Sequence, residues 1–249
     1  MSGCTLSGAL KRVAEFLGRN HTSQGNGHHK KEQGEPTKPK KVHATSEKAA
    51  DAFAYGLTQS GILPKKRKPD AGWRYLHANG TDAFSVVRWN LPDGTKTFGQ
   101  IAKVDGGWIC GGMPELRPLY RLPDITDAPE VWICEGEKSA DAAVLLGLQA
   151  TTSAGGSGAA EKTDWRPLDG KRVIVLPDND SPGEKYATEV VQLIQKQAPN
   201  ATIQVKRLRE DWPEIPEGGD IAPQSARRCV QNGRKAGRLQ QWQRRNHSG

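Results

Sequence analysis

Glu135 closes the apolar run Val131-Trp-Ile-Cys134, and Asp178 and Asp180 follow a second run, Val173-Ile-Val-Leu-Pro177. A D-x-D at a strand end can place two hard oxygen ligands about one metal. Magnesium takes one or two protein carboxylates and fills its remaining octahedral positions with water and phosphate oxygens. Such acids clamp phosphates rather than cage the ion. An isolated D-x-D is equally a solvated turn, and the second strand-end acid, Glu135, shifts the balance toward a site. Ala154-Gly-Gly-Ser-Gly158 could let backbone N–H groups approach an anion, which makes Gly155 and Gly156 candidate phosphate-binding positions. Lys138 could steady a phosphate beside the acids, or be an ordinary surface lysine. The glycine loop is not a P-loop. Glu161 stands where the second glycine should precede Lys162-Thr163, and a carboxylate there repels phosphate. No Ser-His-Asp pattern is readable by spacing, and His28-His29 sits in a polar stretch where solvation is the plain reading.

These acids need a scaffold that brings two strand ends together. After Pro129 the pattern alternates: strand 131–134, helix 139–146 stopped by Gly147, strand 150–153, the glycine loop, strand 173–176, helix 182–197 and strand 202–208. Short apolar strands alternating with helices imply a parallel sheet covered on both faces, with ligands beyond the carboxyl ends of the strands. Ser181, Pro182 and Glu184 match the N-cap, N1 and N3 positions of a capping box, so the helix starts directly after the acids. Gly136 permits a tight strand-to-helix turn after Glu135.

Before Pro129 the period is that of strands: 73–77, 84–89 and 96–102, separated by Asn79-Gly80 and Pro92-Asp93-Gly94, which are hairpin signals. Residues 71–129 are therefore expected to form a small antiparallel β-rich subdomain. A helix is expected at 45–57, with Thr45 or Ser46 as N-cap and Ala49, Phe53 and Leu57 inward. It lies in a basic linker, 19–70, that contains the cluster Lys65-Lys-Arg-Lys68; clustered lysines and arginines either solubilise or face phosphates. Residues 5–18 place Leu6, Leu10, Val13 and Leu17 on one helical face.

The chain has 249 residues, mean hydropathy −0.70 and formal net charge +8. That charge is divided as +8 over 1–68, −7 over 69–220 and +7 over 221–249. No apolar run approaches the roughly 20 residues of a membrane span, and no leader pattern opens the chain, so a cytosolic protein is the expectation. The four cysteines are too dispersed for a disulfide framework or a self-contained zinc site. Residues 222–249 read as a poorly ordered basic tail, or as sequence appended by a shifted reading frame.

Glu135-Gly136, Asp178-x-Asp180 and about 40 residues of alternating elements between them resemble the Toprim domain of primases and topoisomerases. Within it, the run Val131–Lys138, then Thr151–Gly158, then Val173–Gly183 is most similar to primases of phages and mobile elements. The looser likeness of Trp73-Arg-Tyr75 and Leu119-Tyr-Arg-Leu-Pro123 extends it forward. The resemblance implies an α/β fold with a Toprim-like parallel sheet (130–221), preceded by the β-rich subdomain and a disordered basic linker. It implies Glu135 as catalytic acid and metal ligand, Asp178 and Asp180 as catalytic residues and magnesium (or manganese) ligands, and Asp220, in Gly218-Gly-Asp220-Ile, as a further acidic ligand.

Residues 3–18 resemble the last helix of a primase zinc-binding domain without its ligands, so no zinc is expected, and the chain is expected to be a primase shortened at its front. The implied activity is magnesium-dependent nucleotidyl transfer making short RNA primers. Its implied partners are a single-stranded DNA template, ribonucleoside triphosphates and a replicative helicase. Two rivals stand beside it: nucleolytic cleavage with the same metals, or an inactive remnant that docks nucleic acid or a helicase.

Overall fold

The structure, a computed structural model, describes residues 40–155 and 158–221. The expected helix at 5–18, the stretch 19–39, Gly156 and the tail from Ala222 lie outside the described residues. The chain divides into two compact units, and the division cuts across the boundaries that composition suggested. The described part of the first unit is 40–73 with Phe84–Pro114, and that of the second is Arg74–Ala83 with Glu115 onward.

Helix α1 (Ser46–Gln59) anchors the first unit. Thr45 is its N-cap, its side chain accepting from the Lys48 N–H at 3.2 Å. The 3.6-residue period turns Ala49, Ala50, Phe53, Ala54 and Leu57 inward. They meet Val87, Trp89, Ile101 and Trp108 of an antiparallel sheet, and the rings of Phe53 and Trp89 stack at 5.6 Å. Residues 40–70, expected as linker, are thus largely packed. Leu63 is buried, and within the basic cluster Arg67 is bound to Asp70 at 2.7 Å.

The sheet runs in the order β1 (Ala71–Leu76), β2 (Asp82–Asn90), β3 (Lys96–Val104), β4 (Gly107–Cys110). Both expected turns form: the Thr81 carbonyl accepts from the His77 N–H, and the Thr95 carbonyl from the Leu91 N–H. The β2–β3 register sets Val87 opposite Gly99, where an added Cβ would lie 2.9 Å from the Phe53 ring. Strand β4 is an addition to the expected set; Asp105-Gly106 turns the chain into it, with Gly106 at φ +78.

In the second unit a parallel sheet has the order β6-β5-β7-β8, with β5 (Glu130–Cys134), β6 (Ala150–Thr151), β7 (Arg172–Leu176) and β8 (Thr202–Val205). Val131, Ile133, Val173 and Val175 form one core with Tyr186, Ala187, Val190 and Ile194 of a long helix, numbered α4 below. The alternate residues Trp132, Cys134, Ile174 and Leu176 are buried too. A sheet buried on both faces gives continuous apolar runs rather than alternation, which is why these strands were readable.

The helices are α2 (Leu122–Ile125), α3 (Glu137–Leu145), α4 (Ser181–Gln197) and α5 (Leu208–Asp211). β8 stops before Leu208, which instead opens α5. Just ahead of α5, Arg207 turns back to hold Glu184 through two hydrogen bonds of 2.7 and 2.8 Å. No helix among the described residues is long and apolar enough to cross a membrane.

Candidate functional site

Strands β5 and β7 are paired in parallel with Cys134 opposite Leu176, so the residues that follow them leave the sheet side by side. Glu135 emerges from one strand and Asp178 from the other. Gly136 is the N-cap of α3, and an added Cβ there would meet nothing within 4 Å. The second strand end is tighter. Asp180, rather than Ser181, is the N-cap of α4, and its Oδ1 accepts from the Gly183 N–H at 2.8 Å. Aspartate caps as well as serine and its charge is favoured at a helix N-terminus, while proline is tolerated throughout the first turn, so the cap moves back by one residue. The turn closes so sharply that a Cβ at Gly183 would lie 2.4 Å from the Asp178 carbonyl oxygen.

Asp220 arrives from the segment after α5. Its approach is fixed by Asn179, whose N–H donates to the Gly219 carbonyl and whose carbonyl accepts from the Gly218 N–H. The Asn179 side-chain amide donates to the Ile215 and Pro216 carbonyls, and its Oδ1 accepts from Arg209. The middle residue of the D-x-D is therefore a brace that carries the fourth carboxylate to the other three. Asp220 also accepts from Ser139 Oγ at 3.3 Å and pairs with Lys138 Nζ at 3.5 Å.

Four carboxylates in one place repel. Burial, then the charges of Glu135, Asp220 and Asp180, push the Asp178 carboxyl up to about 8, with Lys138 opposing. Glu135 is raised by burial and by Asp180, and its Oε2 is buried with no hydrogen-bond partner. Behind them the Cys134 thiol is pushed up by burial and by Asp178 and Asp220. No group of three or more histidine, cysteine or acidic side chains among the described residues stands in ion-holding geometry. The donors nevertheless suit a hard divalent cation: they are oxygens, they carry excess negative charge, and the buried Glu135 Oε2 lacks the partner that a cation would supply.

The other expected phosphate-binding residues divide. Lys138 stands beside the acids, paired with Asp220. Gly155 has φ +99, and a Cβ there would lie 3.0 Å from Ala159 and 3.4 Å from Arg117 Nη1. Gly155 thus sits close to buried Arg117, which donates to the Ala154 carbonyl at 3.0 Å. Gly156 lies outside the described residues. On the flank of Asp180, Asn179, Ser181, Lys185 and Arg209 help to line a cavity of about 640 Å³.

Several supporting residues escaped the spacing arguments. Tyr75, fully buried, donates to Glu137 Oε1 at 2.8 Å in the first turn of α3, two residues beyond Glu135. Burial and Glu137 hold its hydroxyl well above the usual range, so it stays a donor. Tyr120 donates to Asp141 at 2.8 Å, and Tyr186 shares a 2.9 Å bond with Ser153 Oγ. Trp73-Arg-Tyr75 and Leu119-Tyr120 drew attention as motifs, but their acidic partners are remote in sequence.

Residues 130–209 match the Toprim domain, and this part of the chain is a Toprim domain. Among curated proteins none matches the chain. Among solved structures, primase domains recur. One is the structure of bacteriophage T7 lagging-strand DNA polymerase interacting with primase domains bound to an RNA/DNA hybrid and dTTP. Its likeness has TM-score 0.44 at 18% identity, covering 65% of this chain and 70% of that one. The Aquifex aeolicus primase, with zinc-binding and RNA polymerase domains, gives 0.45 at 14%, covering 74% and 49%. A Pseudomonas aeruginosa DNA primase domain gives 0.39 at 15%, covering 63% and 46%. The chain spans about half the length of these two bacterial structures.

Proposed function

We propose that this chain, with its Toprim domain at residues 130–209, is a DNA primase-like enzyme that uses magnesium to join ribonucleotides into short primers on single-stranded DNA. The observation that carries this reading is the meeting of Glu135, Asp178, Asp180 and Asp220 beyond two adjacent parallel strands, with Asp178 pushed up to about 8. Carboxylates held against their own repulsion favour a divalent cation as the missing charge.

In this reading Asp178, Asp180 and Asp220 hold magnesium, which when bound neutralises the charge of a triphosphate and an attacking hydroxyl. Asp180 would serve there while its Oδ1 caps α4. Glu135 completes the ligand set or takes the proton of the attacking hydroxyl; its raised affinity for a proton and its open Oε2 suit either role. Lys138, tethered to Asp220, steadies phosphate oxygens. Lys185 and Arg209 stand on the Asp180 flank beside Glu184 and Glu217.

The test incubates the full chain with Mg²⁺, end-labelled single-stranded DNA and separately labelled ribonucleotides, beside Asp178→Ala/Asp180→Ala. Short oligoribonucleotides that vanish in the variant support the proposal. Metal-dependent template fragments would replace it with a nuclease, and an unchanged template with no product would replace it with a binding module.

A further inference from the structure

The first unit carries a cavity of about 650 Å³, and its lining combines opposite chemistries. Lys40, Lys41, Lys48 and Lys66 stand around it, with Asp51 the one acid among the lining residues. Tyr55, Ala52 and Cys110 stand among the same lining residues. Tyr55 is 57% exposed, although every other aromatic of the first unit from Trp73 to Trp108, Phe98 apart, is buried.

The placement follows from the helix. Lys48, Ala52 and Tyr55 recur at i, i+4 and i+7, which is one face of α1, opposite the Ala49–Phe53 face that packs on the sheet. Lys40 is placed by the backbone that follows it. His43 exchanges backbone hydrogen bonds with Trp108 at 2.7 and 2.8 Å, which pins that residue to β4. That approach needs Gly107, whose added Cβ would fall 2.2 Å from the His43 carbonyl oxygen. It sets Lys40 Nζ over the Gly111–Gly112 turn, 3.3 and 3.2 Å from where their Cβ atoms would be. Lys66 shares the rim with Asp51 through an exposed 3.3 Å pair, which holds it weakly.

Ammonium groups lining one cavity with an exposed phenol ring match one ligand chemistry: a phosphate joined to a flat, stackable ring. The volume lies within the range of small-ligand sites. We propose that this pocket is a nucleotide-binding site, in which lysines hold the phosphate and the base lies on Tyr55. The ligand is a nucleotide unit of a single strand or a free nucleotide. The site shares no residue with the acids of the second unit and does not depend on the catalytic reading.

The test measures binding of a short labelled oligothymidylate to the full chain in EDTA, over a series of salt concentrations, with unlabelled nucleoside triphosphate as competitor. Tyr55→Ala is expected to weaken binding by roughly 5- to 150-fold, the measured range of one base–aromatic stack, while Tyr55→Phe retains it. Lys40→Ala with Lys48→Ala should lower the log–log salt slope by about 0.7 for each phosphate that is no longer neutralised. Competition by triphosphate at concentrations near its own affinity assigns the site to free nucleotide, and competition by strand alone assigns it to single-stranded nucleic acid; both uphold the pocket. Binding by the Tyr55 and lysine variants that matches wild type in affinity and slope overturns it, as does a wild type that binds neither probe. If primer synthesis is absent while the Tyr55 dependence holds, the proposed function falls and this site stands.

Discussion

The two sheets of this protein manage charge in opposite ways. In the second unit the parallel sheet is buried on both faces, so polar groups collect where its strands end; there Glu135, Asp178, Asp180 and Asp220 gather like charges that push Asp178 up to about 8. In the first unit the antiparallel sheet buries Trp89, Ile101 and Trp108 against one helix, and the outer face of that helix carries Lys48 and Tyr55 beside the segment 40–43. Repulsion tolerated in a half-buried cluster is stored energy that a ligand can release. Lysines spread over an exposed rim cost little and wait for a ligand by charge alone.

Breaking each scaffold gives the largest effects. Phe53→Ala removes the ring stacked on Trp89 and should cost about 3–5 kcal/mol, measured by chemical denaturation of the first unit. Gly183→Ala forces a methyl toward the Asp178 carbonyl. It should cost on the order of 3 kcal/mol and abolish Mg²⁺ binding by calorimetry. Gly136→Ala, at the other strand-to-helix turn, meets nothing within 4 Å and should change stability by less than about 0.5 kcal/mol. Equal costs at the two glycines would refute the tight D-x-D turn.

The next effect sharpens the contrast in charge. Asp178 binds a proton more tightly folded, near 8, than unfolded, near 3.8. Between those values the folded state holds more protons, so without metal this group's contribution to stability falls as pH rises from about 4 to about 8 and is level above. The slope cannot exceed about 1.4 kcal/mol per pH unit for one proton. Melting across that window in EDTA should show the decline in wild type and a flatter curve in Asp178→Asn. Lys40→Ala with Lys48→Ala should leave the slope alone.

A further effect concerns the support of the acids. Tyr75→Phe removes the 2.8 Å bond to Glu137 and should cost about 1–3 kcal/mol, since it leaves a half-buried carboxylate with one partner fewer. The same change should weaken Mg²⁺ binding modestly, because α3 begins directly after Glu135.

Much of this was legible because its signals are local. Apolar runs ending in acids mark both strand ends, and Asn79-Gly80 and Asp93-Gly94 mark both turns. Where two local signals competed, the reading slipped: Asp180 and Ser181 are adjacent capping residues, and only the bond from Gly183 shows which one caps. What was not legible depends on distance along the chain. Tyr75 meets Glu137 from 62 residues away, and the Asn179 brace acts through a segment some 40 residues beyond it. His43 is pinned to β4 through backbone bonds that no side-chain pattern announces. Lys40, Lys41, Lys48 and Lys66 are scattered across the sequence, so a count of charge could see their sign but not their pocket.

The central claim is that the four acids of the second unit form a divalent-cation site. Melting at pH 8 with and without Mg²⁺, in wild type and Asp178→Asn, tests it most directly. The account predicts that wild type is stabilised by Mg²⁺, while Asp178→Asn is more stable than wild type in EDTA and gains little from the metal. A wild type indifferent to Mg²⁺, or a variant less stable in EDTA and equally stabilised by the metal, would contradict it.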